Sequence, residues 1–341
     1  MSESAAVAPT VDPDTRPAPP GRSDADLGRV LVLAGGLTYE RDVSLRSGRR
    51  VVDALKAAGT EAILADADGE LLGLLTVTSP SAVLIALHGG SGEDGAIRAV
   101  LECAGVPYVG TAPAASRLAF DKPSAKELIR RSGLSTPDWV AVPHTTFREL
   151  GANAVLDVIV ARLGLPVMVK PAQGGSALGA TAVHAPEDLP GAMVTCFSYG
   201  PTAVVERFVT GVEVAVSVVE VDGSGSAQAL PPVEITPPSG NYDYTARYTA
   251  GETDFHVPAR IDPAATRAVT ELALAAHRIL GLRDLSRTDA IVGEDGTVHF
   301  LEVNVSPGLT ETSTLPMAAV AAGFDLGQLY QRLLAGAAQR R

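Results

Sequence analysis

A parallel α/β unit followed by antiparallel α+β material is the fold class that this 341-residue sequence predicts. Three observations carry that expectation. Strand-like and helix-like stretches alternate up to about Thr111, the pattern of a small parallel sheet wrapped by helices. Beyond it the texture changes to helices interspersed with strands of antiparallel character. The chain then nears its end in a strand pair, "LSRTDAIV" and "VHFLEVNV", joined by "GEDG". The length leaves room for two or three domains and a sizeable core.

The elements follow in order. The first 28 residues are rich in Pro, Ala, Asp and Ser and lack the apolar run of a secretion signal, so they read as a disordered extension. "RVLVLAGG" is a short apolar strand ending in glycines. "DVSLRSGRRVVDALKAAG" follows as a helix whose stripe is Val43, Ser47, Val51, Val52 and Leu55, stopped at Gly59. "EAILADAD" and "SAVLIALHGG" are further strands, and "DGAIRAVLECAG" is a helix leading into "VPYVG". Next come the helix "DKPSAKELIRRSGL", the strand "LPVMVKPA", the loop "QGGSALG", and "TAVVERFVTGVEVAVSVVE", read as two strands about a turn. "NYDYTARYTAGETDF" is polar, Tyr-rich and without period, long enough for a functional loop. "PAATRAVTELALAAHRILG" is a strongly amphipathic helix.

Composition narrows the function classes. Hydrophobic residues at 46% with 19% charged residues suit a soluble globular protein. A formal charge of −12 argues against nucleic acid or an anionic membrane as the main partner, while leaving room for a local basic pocket. No apolar run is long enough to span a bilayer. Cys103 and Cys196 lack metal-site spacing and read as buried free thiols of a reducing cytoplasm.

Two stretches carry chemistry. In "FLEVNVSPG" a strand places Glu302 and Asn304 on one face. If Gly293 pairs with Gly296, Asp289 falls opposite Phe300 and diagonal to Glu302, with Arg287 opposite Glu302. Two carboxylates and an amide so gathered suit Mg²⁺ held jointly with substrate phosphates. The same alternation would also serve as the solvated face of an edge hairpin. In "VMVKPAQGGSALG", Lys170 ends a strand before a loop with Gly174, Gly175 and Gly179, where backbone N–H groups and a lysine can close on phosphate oxygens. It is not a P-loop, and a plain mobile hairpin loop would read alike. Lys122 in "DKPSAK" could equally be a first-turn lysine with no role.

Taken together, "GGLTYERDVSLRSG", "LHGGSGEDGAIRAVLECAGVPYVG", "DKPSAK", "VKPAQGGSALG", "VERFVTGVEV", "YDYTARY" and "RTDAIV…LEVNVSPGLTETSTLP" occur in an order that resembles the D-alanine–D-alanine ligases of the ATP-grasp superfamily. The resemblance runs from about Arg29 to the C-terminus. It implies a three-domain ATP-grasp architecture: an N-terminal parallel α/β substrate-binding domain over 29–121, a central lid domain over 122–213 and a catalytic domain over 214–341. It implies ATP-dependent joining of two D-alanine molecules for peptidoglycan synthesis, in the cytoplasm, by a homodimer that uses ATP and two Mg²⁺ ions, with Mn²⁺ able to substitute.

Carried over by position, Asp289, Glu302 and Asn304 match the family's metal ligands, and Lys122 and Lys170 the lysines on the ATP phosphates. Glu206 and Glu213 match acidic residues around adenine and ribose. Glu40 matches the glutamate on the first substrate's ammonium, with Ser176 and Tyr248 as its hydrogen-bonded partners. Arg287 matches the oxyanion arginine, and Ser313 lies where the second substrate's carboxylate is held. Five residues depart from the pattern: Gly174 and Ala177 lack the side chains usual in the loop, Arg247 and Arg207 stand where lysine is common, and Thr314 replaces a usual leucine. They leave open an acceptor other than D-alanine, such as D-lactate, D-serine or another amino acid. A non-catalytic nucleotide-binding protein is the alternative of another class, against which the retained metal set and Arg287 weigh.

Overall fold

The computed structural model describes residues 27–221, 226–237 and 253–340. Residues 1–26 of the expected extension, and the segment holding Arg247 and Tyr248, lie outside the described residues.

Strands β1 (Arg29–Ala34), β2 (Glu61–Asp66), β3 (Val83–Ile85) and β4 (Tyr108–Val109) form a wholly parallel sheet in the order β2-β1-β3-β4. Val30, Val32 and Ala34 enter one core, Leu31 and Leu33 another, which is why β1 is an unbroken apolar run. Helix α1 (Arg41–Ala57) buries the stripe that its spacing predicts. Helices α2 (Leu71–Thr78) and α3 (Ala96–Cys103) cover the opposite face through Leu71, Leu75 and Leu101. Cys103 corrects the sequence expectation: it is exposed, because it falls off the α3 stripe of Arg98 and Leu101. Cys196 is buried, and burial pushes its thiol up to about 11.

Helices α4 (Pro113–Phe120) and α5 (Lys122–Arg131) follow, α5 being capped by the Asp121 side chain, which accepts from the Ser124 amide. The second sheet is antiparallel, built from β5 (Trp139–Pro143), β6 (Val167–Pro171), β7 (Thr181–Val183) and β8 (Thr202–Arg207) in the order β5-β8-β6-β7. It packs on α7 (Ala152–Leu163), which follows the short α6 (His144–Leu150), and on α8 (Leu189–Phe197).

The third sheet runs β12-β11-β9-β13-β14 and comprises β9 (Gly211–Val219), β11 (Val233–Thr236), β12 (Asp254–His256), β13 (Leu285–Gly293) and β14 (Val298–Asn304), with β10 (Gln228–Ala229) paired to β9. The amphipathic helix α9 (Pro263–Ile279) covers it, together with Ala119, Ala125 and Ile129 from α4 and α5. Here a second expectation is corrected. "TAVVERFVTGVEVAVSVVE" is not a hairpin: β8 lies between β5 and β6, β9 lies between β11 and β13, and Phe208–Thr210 cross from one sheet to the other. The division expected at 213/214 accordingly falls inside β9.

The β13–β14 register also differs from the expected one. Gly293 donates to Thr297 O and Gly296 sits at φ 79°, so the turn is longer by one residue than a pairing of Gly293 with Gly296 would make it. A β-bulge between Asp289 and Ala290 then shifts the ladder again. The result places Asp289 opposite Glu302 and Arg287 opposite Asn304, while Ala290 pairs with Phe300 in the core.

Helices α10 (Thr314–Ala321) and α11 (Leu326–Ala338) return to the first sheet. Leu315, Ala318, Leu329, Tyr330, Leu333 and Leu334 share one core with Val32, Val51, Leu55 and Leu84, so the two ends of the described chain stabilise each other. No helix among the described residues is long and apolar enough to cross a membrane.

Candidate active site

A cavity of about 760 Å³ opens between the second and third sheets. Lys170 and Met168 reach it from β6, Glu206 and the exposed Arg207 from the end of β8, and Glu213 from β9. The Phe208–Thr210 crossing forms its rear wall, and Gly174 and Gly175 of the glycine-rich loop line it as well. Lys122, Asp289 and Glu302 close the end nearest the hairpin.

The charges in this cavity are paired inside the protein. Glu206 accepts from Lys170 Nζ at 2.6 Å and from Lys126 Nζ at 2.8 Å. Burial opposes its ionisation, yet Lys170 and Lys126 outweigh burial and hold the carboxyl below its usual range. Burial likewise opposes the charge on Lys170, but Glu206 and then Glu302 raise it above the ordinary lysine value. For Lys126 burial dominates and pushes the ammonium down to about 8, against the pull of Glu206. Lys122 Nζ donates to Gly174 O at 2.7 Å and stands 3.3 Å from Glu302 Oε2, so it ties the glycine-rich loop to the hairpin.

A second, small cavity of about 40 Å³ adjoins the first. Glu40, Ser176, Arg287, Asn304 and Ser313 line it. Glu40 occupies the N-cap position of α1 but does not cap its own helix; its carboxylate instead accepts from Ser176 Oγ across the domain gap. Gly89 sits at φ 67°, and a Cβ there would lie 2.4 Å from Glu40 Oε2, so this turn needs glycine on two counts. Arg287 donates to both oxygens of Asp289 at 2.7 Å. Asn304 Oδ1 accepts from the Ser306 amide at 2.7 Å. Ser313, the N-cap position of α10, accepts from the Thr310 amide at 3.0 Å. Asp289 lines both cavities and stands at their seam.

The residues expected from the sequence thus divide into two groups that meet. Lys122, Lys170, Gly174, Gly175, Glu206, Arg207, Glu213 and Glu302 surround the large cavity; Glu40, Ser176, Arg287, Asn304 and Ser313 surround the small one. Tyr248 and Arg247 lie outside the described residues. Three residues escaped the sequence reading. His88 and Glu93 line the small cavity, and Lys126 pairs with Glu206. Glu93 is pushed up to about 7 by burial first and by the neighbouring Glu40 second. Burial also lowers His88, whose ring lies 2.9 Å from Ser47 Oγ and 3.0 Å from Ser306 O. The signal for Glu93 and His88 was present in "LHGGSGEDG", and that for Lys126 in its spacing four residues after Lys122, which puts both on one face of α5.

Comparison with known proteins gives a consistent set of relatives. A family model described as the D-ala D-ala ligase C-terminus matches residues 128–335. The D-alanine–D-alanine ligase of Anaeromyxobacter dehalogenans is 40% identical over 310 residues, covering 91% of this chain and 97% of the relative. That of Pelotomaculum thermopropionicum is 39% identical over 306 residues, covering 90% and 95%. Among solved structures, the VanG D-Ala:D-Ser ligase of Enterococcus faecalis is similar with TM-score 0.76 and 28% identity, covering 90% of this chain and 98% of that one. The Bacillus anthracis D-alanine–D-alanine ligase, solved with ATP, is similar with TM-score 0.75 and 27% identity, covering 92% and 98%.

Proposed function

This chain belongs to the D-alanine–D-alanine ligase family, and from that premise we propose that it uses ATP to join two D-alanine molecules into D-alanyl-D-alanine. In this reaction the carboxylate of the first D-alanine takes the γ-phosphoryl group, and the amine of the second displaces phosphate from the acyl phosphate. The observation that carries the reading is the seam at Asp289, where a cavity of nucleotide size meets a small cavity lined by acids, hydroxyls and one arginine.

The residues take their roles from the family resemblance, and the geometry supports that reading. Lys170 and Lys122 hold ATP phosphates, with the loop amides around Gly174 and Gly175 closing beside them. Glu206, Arg207 and Glu213 line the part of the cavity where adenine and ribose sit. Glu40, held by Ser176, takes the ammonium of the first D-alanine. Arg287 stabilises the charge that develops on the attacked carbonyl oxygen. Ser313, at the head of α10, seats the carboxylate of the second D-alanine, where helix amides favour an anion. The family resemblance groups Tyr248 with Glu40 and Ser176.

Asp289, Glu302 and Asn304 fit Mg²⁺: all three offer oxygen, two are directly opposed in register, and the third follows on the same face. Each carboxylate faces a cation in this structure, Arg287 for Asp289 and Lys122 for Glu302, which marks the place as one that demands positive charge. Magnesium there, as two ions or as Mn²⁺ in their stead, supplies charge neutralisation of the transferring phosphoryl group. The enzyme so read is cytoplasmic and homodimeric and serves peptidoglycan precursor synthesis.

The test offers the purified chain ATP, Mg²⁺ and D-alanine alone, then with D-lactate or D-serine added, and measures phosphate release and products. D-alanyl-D-alanine is expected to dominate at neutral pH. Predominant D-alanyl-D-lactate would overturn the acceptor assignment, and no phosphate release would overturn the ligase reading.

A further inference from the structure

Lys126 has no role in the scheme above, yet its side chain is 0% exposed, against 9% for Lys122 and 11% for Lys170. It meets Glu206 from behind. Lys170 and Glu206 line the large cavity, whereas Lys126 reaches Glu206 Oε2 from α5 at 2.8 Å without lining it. Its ammonium also lies 5.1 Å from the centre of the Trp139 ring, whose face Arg130 covers at 3.9 Å.

This arrangement bears on how Lys170 becomes available. At 2.6 Å from Glu206 Oε1, Lys170 is engaged with a protein carboxylate. Were Glu206 to have no other cation, the departure of Lys170 would strand a buried charge, which is strongly unfavourable. With Lys126 behind it, Glu206 stays paired when Lys170 turns to the nucleotide. A cation inside the cavity could not do this, because it would compete for the same phosphates. We propose that Lys126 is a positioning residue for nucleotide binding, keeping Glu206 compensated so that Lys170 can exchange from Glu206 to the ATP phosphates. The inference rests on the assignment of Lys170 to those phosphates.

The experiment measures ATP affinity by calorimetry on the full chain for Lys126→Met, Lys170→Met and the double variant, with KM for D-alanine alongside. Lys126→Met should weaken ATP roughly tenfold or more, the scale of one charge-assisted hydrogen bond, with KM for D-alanine moving far less. Lys126→Arg should restore most of the loss. In the Lys170→Met background the same change should cost less than about threefold, since the group it frees is gone. An equal loss in both backgrounds would overturn the proposal and assign Lys126 to structure alone. Unimpaired ATP affinity in Lys170→Met would instead overturn the phosphate assignment, and the inference with it. Should Lys126→Met fail to fold, Lys126→Gln, which keeps a hydrogen-bond donor toward Glu206 but carries no charge, takes its place with the same expected loss, and unchanged ATP affinity in it overturns the proposal.

Discussion

The large cavity holds its lysines against protein carboxylates, Lys170 on Glu206 with Lys126 behind it and Lys122 on Glu302, whereas the small cavity sets Glu93 beside Glu40. In the first, a bound polyanion exchanges partners with groups already charged. In the second, burial and a like charge push Glu93 up to about 7. On the proposed reading, one side receives an anion and the other an ammonium. Asp289, with Arg287 on both its oxygens, separates the two regimes.

Breaking the seam should have the largest effect. Asp289→Asn removes charge from both sides at once, and turnover should fall by more than the roughly 10²-fold of a single lost oxyanion group. Phosphate release at limiting Mg²⁺ checks this, with an unchanged circular dichroism spectrum as control. Arg287→Met should lower kcat by roughly 10²-fold while leaving ATP affinity nearly intact. A variant defective only in ATP affinity would move Arg287 to the nucleotide side. Ser176→Ala should act on the small cavity alone, raising KM for the first D-alanine by up to about tenfold, the worth of one hydrogen bond to a charged group. A matching rise in KM for ATP would blur the division between the two sites.

The smallest effect concerns stability. Glu93 binds its proton more tightly in the fold than its ordinary value of 4.5 provides, with the folded value at about 7. Between those values the folded state holds the extra proton, so stability falls as pH rises through the window and the loss is complete above it. Glu93→Gln should therefore melt higher than the unmodified chain at pH 8, by a few degrees at about 2–4 °C per kcal/mol, and show no such advantage near pH 4. An advantage independent of pH would mean that folding leaves the proton affinity of Glu93 unchanged.

Much of this site was legible because chemistry-bearing residues lie next to strong pattern signals. The faces of α1 and β1 followed from apolar spacing, and Glu302 with Asn304 from strand alternation. The hairpin brings the expected residues together, but in another register than the expected one. The longer turn moved the pairing by one residue, which alone would have put Glu302 on the core face with Phe300. The bulge moved it by one more and returned Glu302 to the side of Asp289. Neither displacement leaves a mark in hydrophobic periodicity, since both depend on backbone geometry at Gly296 and around Leu301. Long-range pairing was the other blind spot. Lys126 and Glu206 are 80 residues apart, and nothing local in either segment announces the partner.

The crossing at Phe208–Thr210 carries a mechanical consequence. Three residues, fully extended, span roughly 10 Å, so along that edge the two walls of the large cavity can part only so far before β8 or β9 must surrender a pair of ladder bonds. The tether acts as a stop on the jaw. A longer insertion between Arg207 and Gly211 would loosen that stop without touching a single charged group in the cavity.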